Sequence, residues 1–443
     1  MDYYLKADLF LLPKECKKDV YLHIQDGVFG DFVREIPASA MVLDWSGYTI
    51  APGLFDTHIH GIKGHDVMDG TKTAIQEIST ALLEVGVTRF LPTTLTSSAD
   101  DLEKAIIGVK DASKDGLKGA QSEGIFLEGP YFTEKYKGAQ NPIYFKNPSV
   151  DEFKKWQALA DGQIVKLGLA PEREGALPFI DTLSDEVLMS IGHTDASYAC
   201  CREANAVGAK NYVHLYNGMS GLHHREPGVV GAALADESSY AEIICDGHHV
   251  HPDVAALTLK IKEKKLMLIS DCMRAGLMPD GEYHLGEFAV TIEDGIARTE
   301  SGSLAGSTLT LLEGALNLHS WSGRPLYEIW HLASLTPARS LQIDDRLGSI
   351  EKGKLVIFSS HQMSYVEEFC ENIVIIHRGN VVLEGTLKEI KEDFGQGRLY
   401  LETKTAKDVV ETLTTIQDVQ TYEEGYILKP HADAQIKDIL KEM

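Results

Sequence analysis

The 443-residue sequence has no C-x-x-C pair, no excess of basic residues and no apolar run approaching the roughly 18 residues of a membrane-spanning helix. Its six cysteines (Cys16, Cys200, Cys201, Cys245, Cys272 and Cys370) lack the spacing of a disulfide framework or a structural zinc site, which predicts reduced thiols. Forty-two Lys and Arg against 66 Asp and Glu leave a formal charge of −24. Neither nucleic acid nor an anionic membrane is therefore expected as a partner, because either is met by a basic patch. A negatively charged substrate would need a local cationic pocket. The opening MDYYLKADLF carries neither a basic n-region nor an apolar h-region, so a soluble, cytoplasmic chain is expected. The 44 % apolar content can build a large core, and the length suits one large barrel or a few average domains.

The first 48 residues alternate as strands do, with an Asp26-Gly27 hairpin signal, and predict a small β element. Eight short apolar runs follow: YTIAPGLFDTHIH, TRFLPTTLT, GIFLEGPYF, VKLGLAPE, EVLMSIGHTD, NYVHLYNG, AEIICDGHH and LMLISDC. Amphipathic stretches such as 73–85 and 253–264 lie between them. This α/β alternation predicts a (β/α)8 barrel over 51–343. GEYHLGEFAVTIEDGIART reads as a β-hairpin turning at Asp294-Gly295, and GSLAGSTLTLLEGALNL as a Gly-rich loop entering a helix.

The reactive side chains fall in one pattern. His58, His60, Glu128, His193, His214, His249 and Asp271 all stand at or just past the C-terminal ends of these runs, where a parallel barrel builds its active site. His58-x-His60 puts two imidazoles on one strand face. With His193 and His214 there are four imidazoles, more than one catalytic zinc takes while keeping an open position. Glu128 has two oxygens with which to bridge two cations, and Asp271 is able to ligate or to act as a base. The set predicts one or two divalent metals and metal-assisted hydrolysis of an amide or similar bond. Zinc, iron, cobalt and manganese all accept such ligands. Arg225 in HHREPGVVG and the histidines of ICDGHHVHP form a cationic neighbourhood suited to phosphate, unless Arg225 pairs with Glu226 or another acid.

Residues 1–354 resemble the N-acetylglucosamine-6-phosphate deacetylase family of the amidohydrolase superfamily. The resemblance is carried by APGLFDTHIHG, GVTRFLPTT, FLEGPYFTEKYKGAQNP, LAPE, IGHTDA, HLYNGMSGLHHREPG, ICDGHHVHP, ISDCMRAG, PDGEYHLGEFAV and GSLAGSTLTL. It implies release of acetate from N-acetylglucosamine 6-phosphate, metal ligation by Glu128, His193 and His214, a second metal at His58 and His60, and Asp271 as general base and then acid. Gln140 stands where single-metal members carry a carbonyl-polarising His. The resemblance places Gln140, Asn217, Gly218, Arg225, His249 and Ser307 against the substrate, and implies a homodimer with contacts across its interface. It also implies a small β-sandwich built from residues 1–50 and a return beginning at 344–354. Other amidohydrolases, such as cyclic-amide hydrolases or deaminases, are the nearest alternative. Many cyclic-amide hydrolases bridge their metals with a carboxylated Lys where this chain has Glu128, and the HHREPG loop has no purpose in them.

Beyond LGSIEKGK the chain reads LVIFSSHQMSYVEEFCENIVIIHRGNVVLEGTLKEIKEDFG, which resembles the C-terminal part of an ABC-transporter ATP-binding subunit from its switch histidine, here His361. ATP binding needs G-x-x-x-x-G-K-[ST] and a Walker-type carboxylate, and neither occurs, so no ATP is expected as a ligand. Residues 355–443 are thus expected to be a foreign fragment. Unless that fragment replaces the missing sandwich strands, Tyr3–Val33 would keep an unpaired edge and the hybrid barrel would lose stability.

Overall fold

A computed structural model describes residues 2–354 in full and, beyond them, only the backbone of strands within 372–430. Residues 2–356 form one compact unit and residues 357–443 belong to another.

The N-terminal sheet comprises β1 (Asp2–Leu11), β2 (Cys16–Lys17), β3 (Tyr21–Gln25), β4 (Val28–Val33) and β5 (Val42–Ile50). Strand β1 pairs antiparallel with β2 and β3 and parallel with β5, and β4 adds to β3. Alternate residues Tyr3, Leu5 and Ala7 are buried, the period of a half-covered strand. Asp26 and Gly27 turn the β3–β4 hairpin with φ of 50° and 72°, the left-handed pair that a two-residue hairpin loop needs. The edge at Phe29 is not bare. Its N–H donates to Lys354 O (2.8 Å) and its carbonyl accepts from Gly353 N (2.8 Å), so the returning chain already occupies part of it.

The barrel follows. Its strands are β6 (Leu54–Ile59), β9 (Val87–Pro92), β11 (Ile125–Tyr131), β12 (Ile164–Leu169), β13 (Leu188–Ile191), β14 (Asn211–Tyr212), β15 (Tyr240–Ile244) and β16 (Leu266–Ile269). The small strands β7 (Gly61–Ile62), β8 (His65–Asp66) and β10 (Gln121–Ser122) decorate it. All eight expected apolar runs supply a barrel strand, although Tyr48–Ile50 of the first run belongs to β5. Neighbours from β11 to β16 pair in parallel, as do β6 and β9. Closure comes from two short seams: Thr94 N to Phe126 O (3.0 Å) joins β9 to β11, and Asp271 N to His58 O with His60 N to Cys272 O (each 2.9 Å) joins β16 to β6. Strands β6 and β11 are buried at every position, as expected of parallel strands covered on both faces.

Helices α1 (Lys72–Glu84), α2 (Ala99–Asp115), α3 (Val150–Leu159), α4 (Ala176–Leu183), α5 (Tyr198–Ala206), α6 (Gly228–Ala235), α7 (Pro252–Lys262) and α8 (Leu311–Ser322) punctuate the strands. Thr71, Ser98, Ser149, Ser197 and Thr310 cap five of them through side-chain oxygens, leaving the strand ends free of helix-capping duty. Short α9 (Leu326–Leu332) and α10 (Leu335–Ser340) follow, and Ala338 of α10 packs with Phe55, Leu91, Phe126 and Val213 inside the barrel. The expected hairpin is a three-stranded meander, β17 (Gly281–Leu285), β18 (Phe288–Glu293) and β19 (Ile296–Thr299). Gly286, at φ 54°, makes a second tight turn besides Asp294-Gly295.

No helix among the described residues is long and apolar enough to cross a membrane. In the C-terminal unit, β20 (Asn372–His377) and β21 (Asn380–Thr386) pair antiparallel, and β22 (Leu399–Glu402), β23 (Ile416–Tyr422) and β24 (Gly425–Pro430) form a sheet. His361 lies outside the described residues.

Candidate metal centre

Barrel strands deliver six ligand-type side chains to one end. His58 is on β6 with His60 just beyond it, Glu128 is on β11, and His193, His214 and Asp271 follow β13, β14 and β16. They form two buried triads, His58–His60–Asp271 and Glu128–His193–His214, each with its ligand atoms within 4.8 Å of one another. Asp271 Oδ1 lies 3.3 Å from His58 Nε2 and 3.2 Å from His60 Nε2. Glu128 faces both triads. Its Oε1 is 3.5 Å from His193 Nε2, 3.4 Å from His214 Nε2 and 3.5 Å from His58 Nε2, while Oε2 is 3.4 Å from His60 Nε2.

The hydrogen bonds behind the imidazoles decide what the centre can hold. Nδ1 of His60, His193 and His214 reaches the carbonyls of Thr93 (3.2 Å), Tyr136 (3.0 Å) and Asn217 (3.0 Å). A carbonyl only accepts, so each Nδ1 carries the proton and each Nε2 turns a lone pair inward. His58 Nδ1 meets the Glu242 carboxylate at 3.3 Å, with the same result, and its buried Nε2 has no hydrogen-bond partner. Four inward lone pairs and two carboxylates, with His193 and His214 Nε2 only 3.2 Å apart, repel one another unless cations lie between them. The donor set therefore fits divalent metal.

Without cations between them, the same groups attract protons instead. Burial pushes the Asp271 carboxyl up, but the His58 and His60 imidazoles outweigh it and hold it at about 2. Burial likewise opposes ionisation of Glu128, and the surrounding imidazoles hold it well below the usual carboxylate range. Burial pushes the His60 imidazole down, yet Asp271 and Glu128 raise it to about 9. His58 is lowered, chiefly by burial. His193, His214 and Asp271 have φ of 45°, 30° and 50°, left-handed conformations that cost energy and that cluster at functional sites.

The remaining expected residues divide. Gln140 is buried with both amide atoms engaged: Nε2 donates to Glu128 Oε2 (2.7 Å) and Oε1 accepts from Thr96 N (2.9 Å). Ser307 Oγ donates to Ser270 O (2.6 Å) and accepts from Leu309 N (3.0 Å), and its N–H donates to Asp271 O (2.7 Å). Asn217 and Gly218 act through backbone: Asn217 O receives His214, and Gly218 O receives Thr194 N (3.0 Å). These contacts support the ligands from behind. Arg225 is exposed and meets His224 Nε2 at 2.7 Å; among the described residues it pairs with no carboxylate. His249 Nδ1 is 2.6 Å from Asp246 Oδ2. No hydrogen bond joins Arg225 to His249.

Three side chains were not anticipated. Lys166 on β12, Asn211 on β14 and Glu242 on β15 form a fully buried polar group beneath His58. Lys166 Nζ bonds to Glu242 Oε1 and to Thr57 O (3.0 Å) and stands 3.8 Å from the centre of the Phe126 ring. Burial opposes the Glu242 charge, but Lys166 and His58 hold its carboxyl at about 2, while burial lowers Lys166. Their sequence signal was a lone charge in each of two apolar strands, IVKLGL and YAEII.

A family model described as "Amidohydrolase family" matches residues 49–382. An N-acetylglucosamine-6-phosphate deacetylase of Vibrio furnissii is 46% identical over 306 residues, 69% of this chain and 77% of that protein. An N-acetylgalactosamine-6-phosphate deacetylase of Escherichia coli O157:H7 is 39% identical over 355 residues, 80% of this chain and 93% of that protein. A mutant N-acetyl-D-glucosamine-6-phosphate deacetylase from Mycobacterium smegmatis, solved with N-acetyl-D-glucosamine-6-phosphate, superposes with a TM-score of 0.74 at 29% identity, covering 80% of this chain and 93% of that one. With a closed eight-stranded barrel carrying two ligand triads at its mouth, the chain belongs to the amidohydrolase family.

Proposed function

We propose that the chain is a metal-dependent N-acetylglucosamine-6-phosphate deacetylase, releasing acetate and glucosamine 6-phosphate. The observation that carries the reading is the pair of triads facing Glu128, with four imidazole lone pairs turned inward. Glu128, His193 and His214 would hold one divalent ion, and His58 and His60 with Asp271 a second, from zinc, iron, cobalt or manganese. Such ions lower the pKa of water and polarise an amide carbonyl.

The chain's own groups supply the proton path. Asp271 is ionised at neutral pH and stands at the mouth beside His58 and His60. As water adds to the acetyl carbon, an Asp271 carboxylate oxygen takes its proton and then delivers it to the sugar nitrogen while the C–N bond breaks. Arg225 and His249 would contact the phosphate and sugar, with Asn217 and Gly218 beside them. Gln140 and Ser307 act on the substrate indirectly, through Glu128 and Asp271. The exposed Arg225, which pairs with no carboxylate among the described residues, and the 62 % exposed Leu222 in the same loop support a homodimer in which this loop meets substrate at the interface; the chain is proposed to act in the cytoplasm. For residues 355–443 we propose a foreign fragment related to an ABC-transporter ATP-binding subunit, without ATP as ligand.

The Escherichia coli O157:H7 relative is named for the galactosamine epimer, which makes the C4 configuration the second reading. Acetate release from both N-acetylhexosamine 6-phosphates by metal-replete protein tests the two. Higher kcat/KM on the glucosamine epimer is expected; preference for the galactosamine epimer exchanges the substrate, and release from neither rejects the deacetylase.

A further inference from the structure

Four imidazoles point into the centre, and they are not held alike. His60, His193 and His214 rest on backbone carbonyls, which come with the fold. His58 alone rests on a side chain, Glu242, and that carboxylate lies inside the barrel with no exposed surface. Its two oxygens have different duties. Oε1 receives Lys166 Nζ and Asn211 Nδ2 (2.8 Å), and Oε2 faces His58 Nδ1 at 3.3 Å. Lys166 is further fixed by Thr57 O, one residue before His58, and Asn211 Nδ2 also reaches Ser190 Oγ (3.1 Å). Strands β6, β12, β13, β14 and β15 thus converge on one carboxylate whose free oxygen serves one imidazole.

We propose that Glu242, oriented by Lys166 and Asn211, is the positioning residue that keeps the proton of His58 on Nδ1 and so keeps Nε2 available to the metal at the His58–His60–Asp271 triad. The inference rests on the reading of the mouth as a metal centre and deepens it: one of the two sites depends on a buried ion pair, and the other does not. A carboxylate behind a ligating imidazole fixes its tautomer and raises its basicity, and losing such a partner typically costs roughly 10–100-fold in metal affinity.

The arrangement makes a chemical prediction about Glu242→Gln. The amide oxygen must occupy the Oε1 place, because Lys166 and Asn211 both donate there. The amide NH2 then faces His58 Nδ1, which can only accept, and the ring proton moves to Nε2, where it blocks the metal. A second variant, Lys166→Met/Glu242→Leu, removes both buried charges, a replacement that folded cores often tolerate, and leaves Nδ1 without an acceptor.

The test is calorimetric titration of chelator-stripped full-length protein with Zn²⁺, with bound ions counted by atomic emission and the His58 tautomer read from ¹⁵N-histidine spectra. His58→Ala marks the affinity belonging to the first triad. Wild-type protein is expected to take two ions with His58 protonated at Nδ1. Glu242→Gln should move that proton to Nε2 and weaken the ion that His58→Ala also weakens by roughly 10–100-fold, leaving the other unchanged. Lys166→Met/Glu242→Leu should weaken the same ion, and it decides the matter if Glu242→Gln does not fold. Wild-type affinities for both ions in either folded variant overturn the inference, as does a wild-type protein whose ions are all indifferent to His58→Ala. Wild-type protein that takes no ion overturns the metal-centre reading itself.

Discussion

The two triads at the barrel mouth meet at Glu128 but are built from different material. His58, His60 and Asp271 come from β6 and the end of β16, adjacent strands whose spacing is set by the closing hydrogen bonds between His58, His60, Asp271 and Cys272. Glu128, His193 and His214 come from β11, β13 and β14, and the two histidines are steadied by loops, through Tyr136, Asn217 and Gly218. One triad inherits its geometry from the barrel interior, the other from the βα loops. A disturbance of the interior and one of the loops should therefore be felt by different ions.

The largest effect is expected where the triads meet. Glu128→Ala removes the carboxylate that faces both, and should abolish binding of both ions and with it acetate release; an ion retained at full affinity would show that the carboxylate is not shared. Asp271→Asn removes the proposed base and one ligand of the barrel triad. Its kcat is expected to fall about 10²–10⁴-fold, with the ion at Glu128, His193 and His214 still bound. Activity near wild type would reject the base.

Gly218→Ala tests the loop side. Gly218 has φ 62°, and a Cβ there would lie 2.8 Å from His193 Nδ1. The strain, on the order of 1–3 kcal/mol, should weaken only the loop-supported ion; equal weakening of both would erase the distinction between the triads.

The smallest effect concerns metal-free stability. The Glu242 carboxyl is held at about 2 against an ordinary 4.5, so the folded state binds fewer protons there than the unfolded state. Its stabilisation is present above pH 4.5 and lost as pH falls from 4.5 towards 2. Denaturant titrations of chelator-stripped protein across that window should lose stability more steeply in wild type than in Lys166→Met/Glu242→Leu; identical slopes would remove Glu242 from the account.

The barrel was legible because each strand is a short apolar run ending in a turn, and because the reactive residues recur at one end of those runs. The division of the ligands into two sets followed from the family resemblance, but the place of Asp271 beside the first pair was not legible. Asp271 joins His58 and His60 because the last strand closes onto the first, a relation between residues over 200 positions apart that no local pattern encodes. Gln140 and Ser307 are polar residues in motif loops, and a sequence does not show that they also bond to Glu128 and to backbone at Ser270 and Leu309. Lys166 and Glu242 each look anomalous in an apolar strand, and only the barrel brings the two charges together. The β17–β18 turn was overlooked because Gly286-Glu287 carries a weaker signal than Asp294-Gly295.

The most direct measurement is acetate released from N-acetylglucosamine 6-phosphate as Zn²⁺ is returned stepwise to chelator-stripped protein. The account expects negligible release without metal and activity that rises until both triads are filled, at two ions per chain. Release by the stripped protein at the replete rate, or none at any metal content in folded protein, would contradict it.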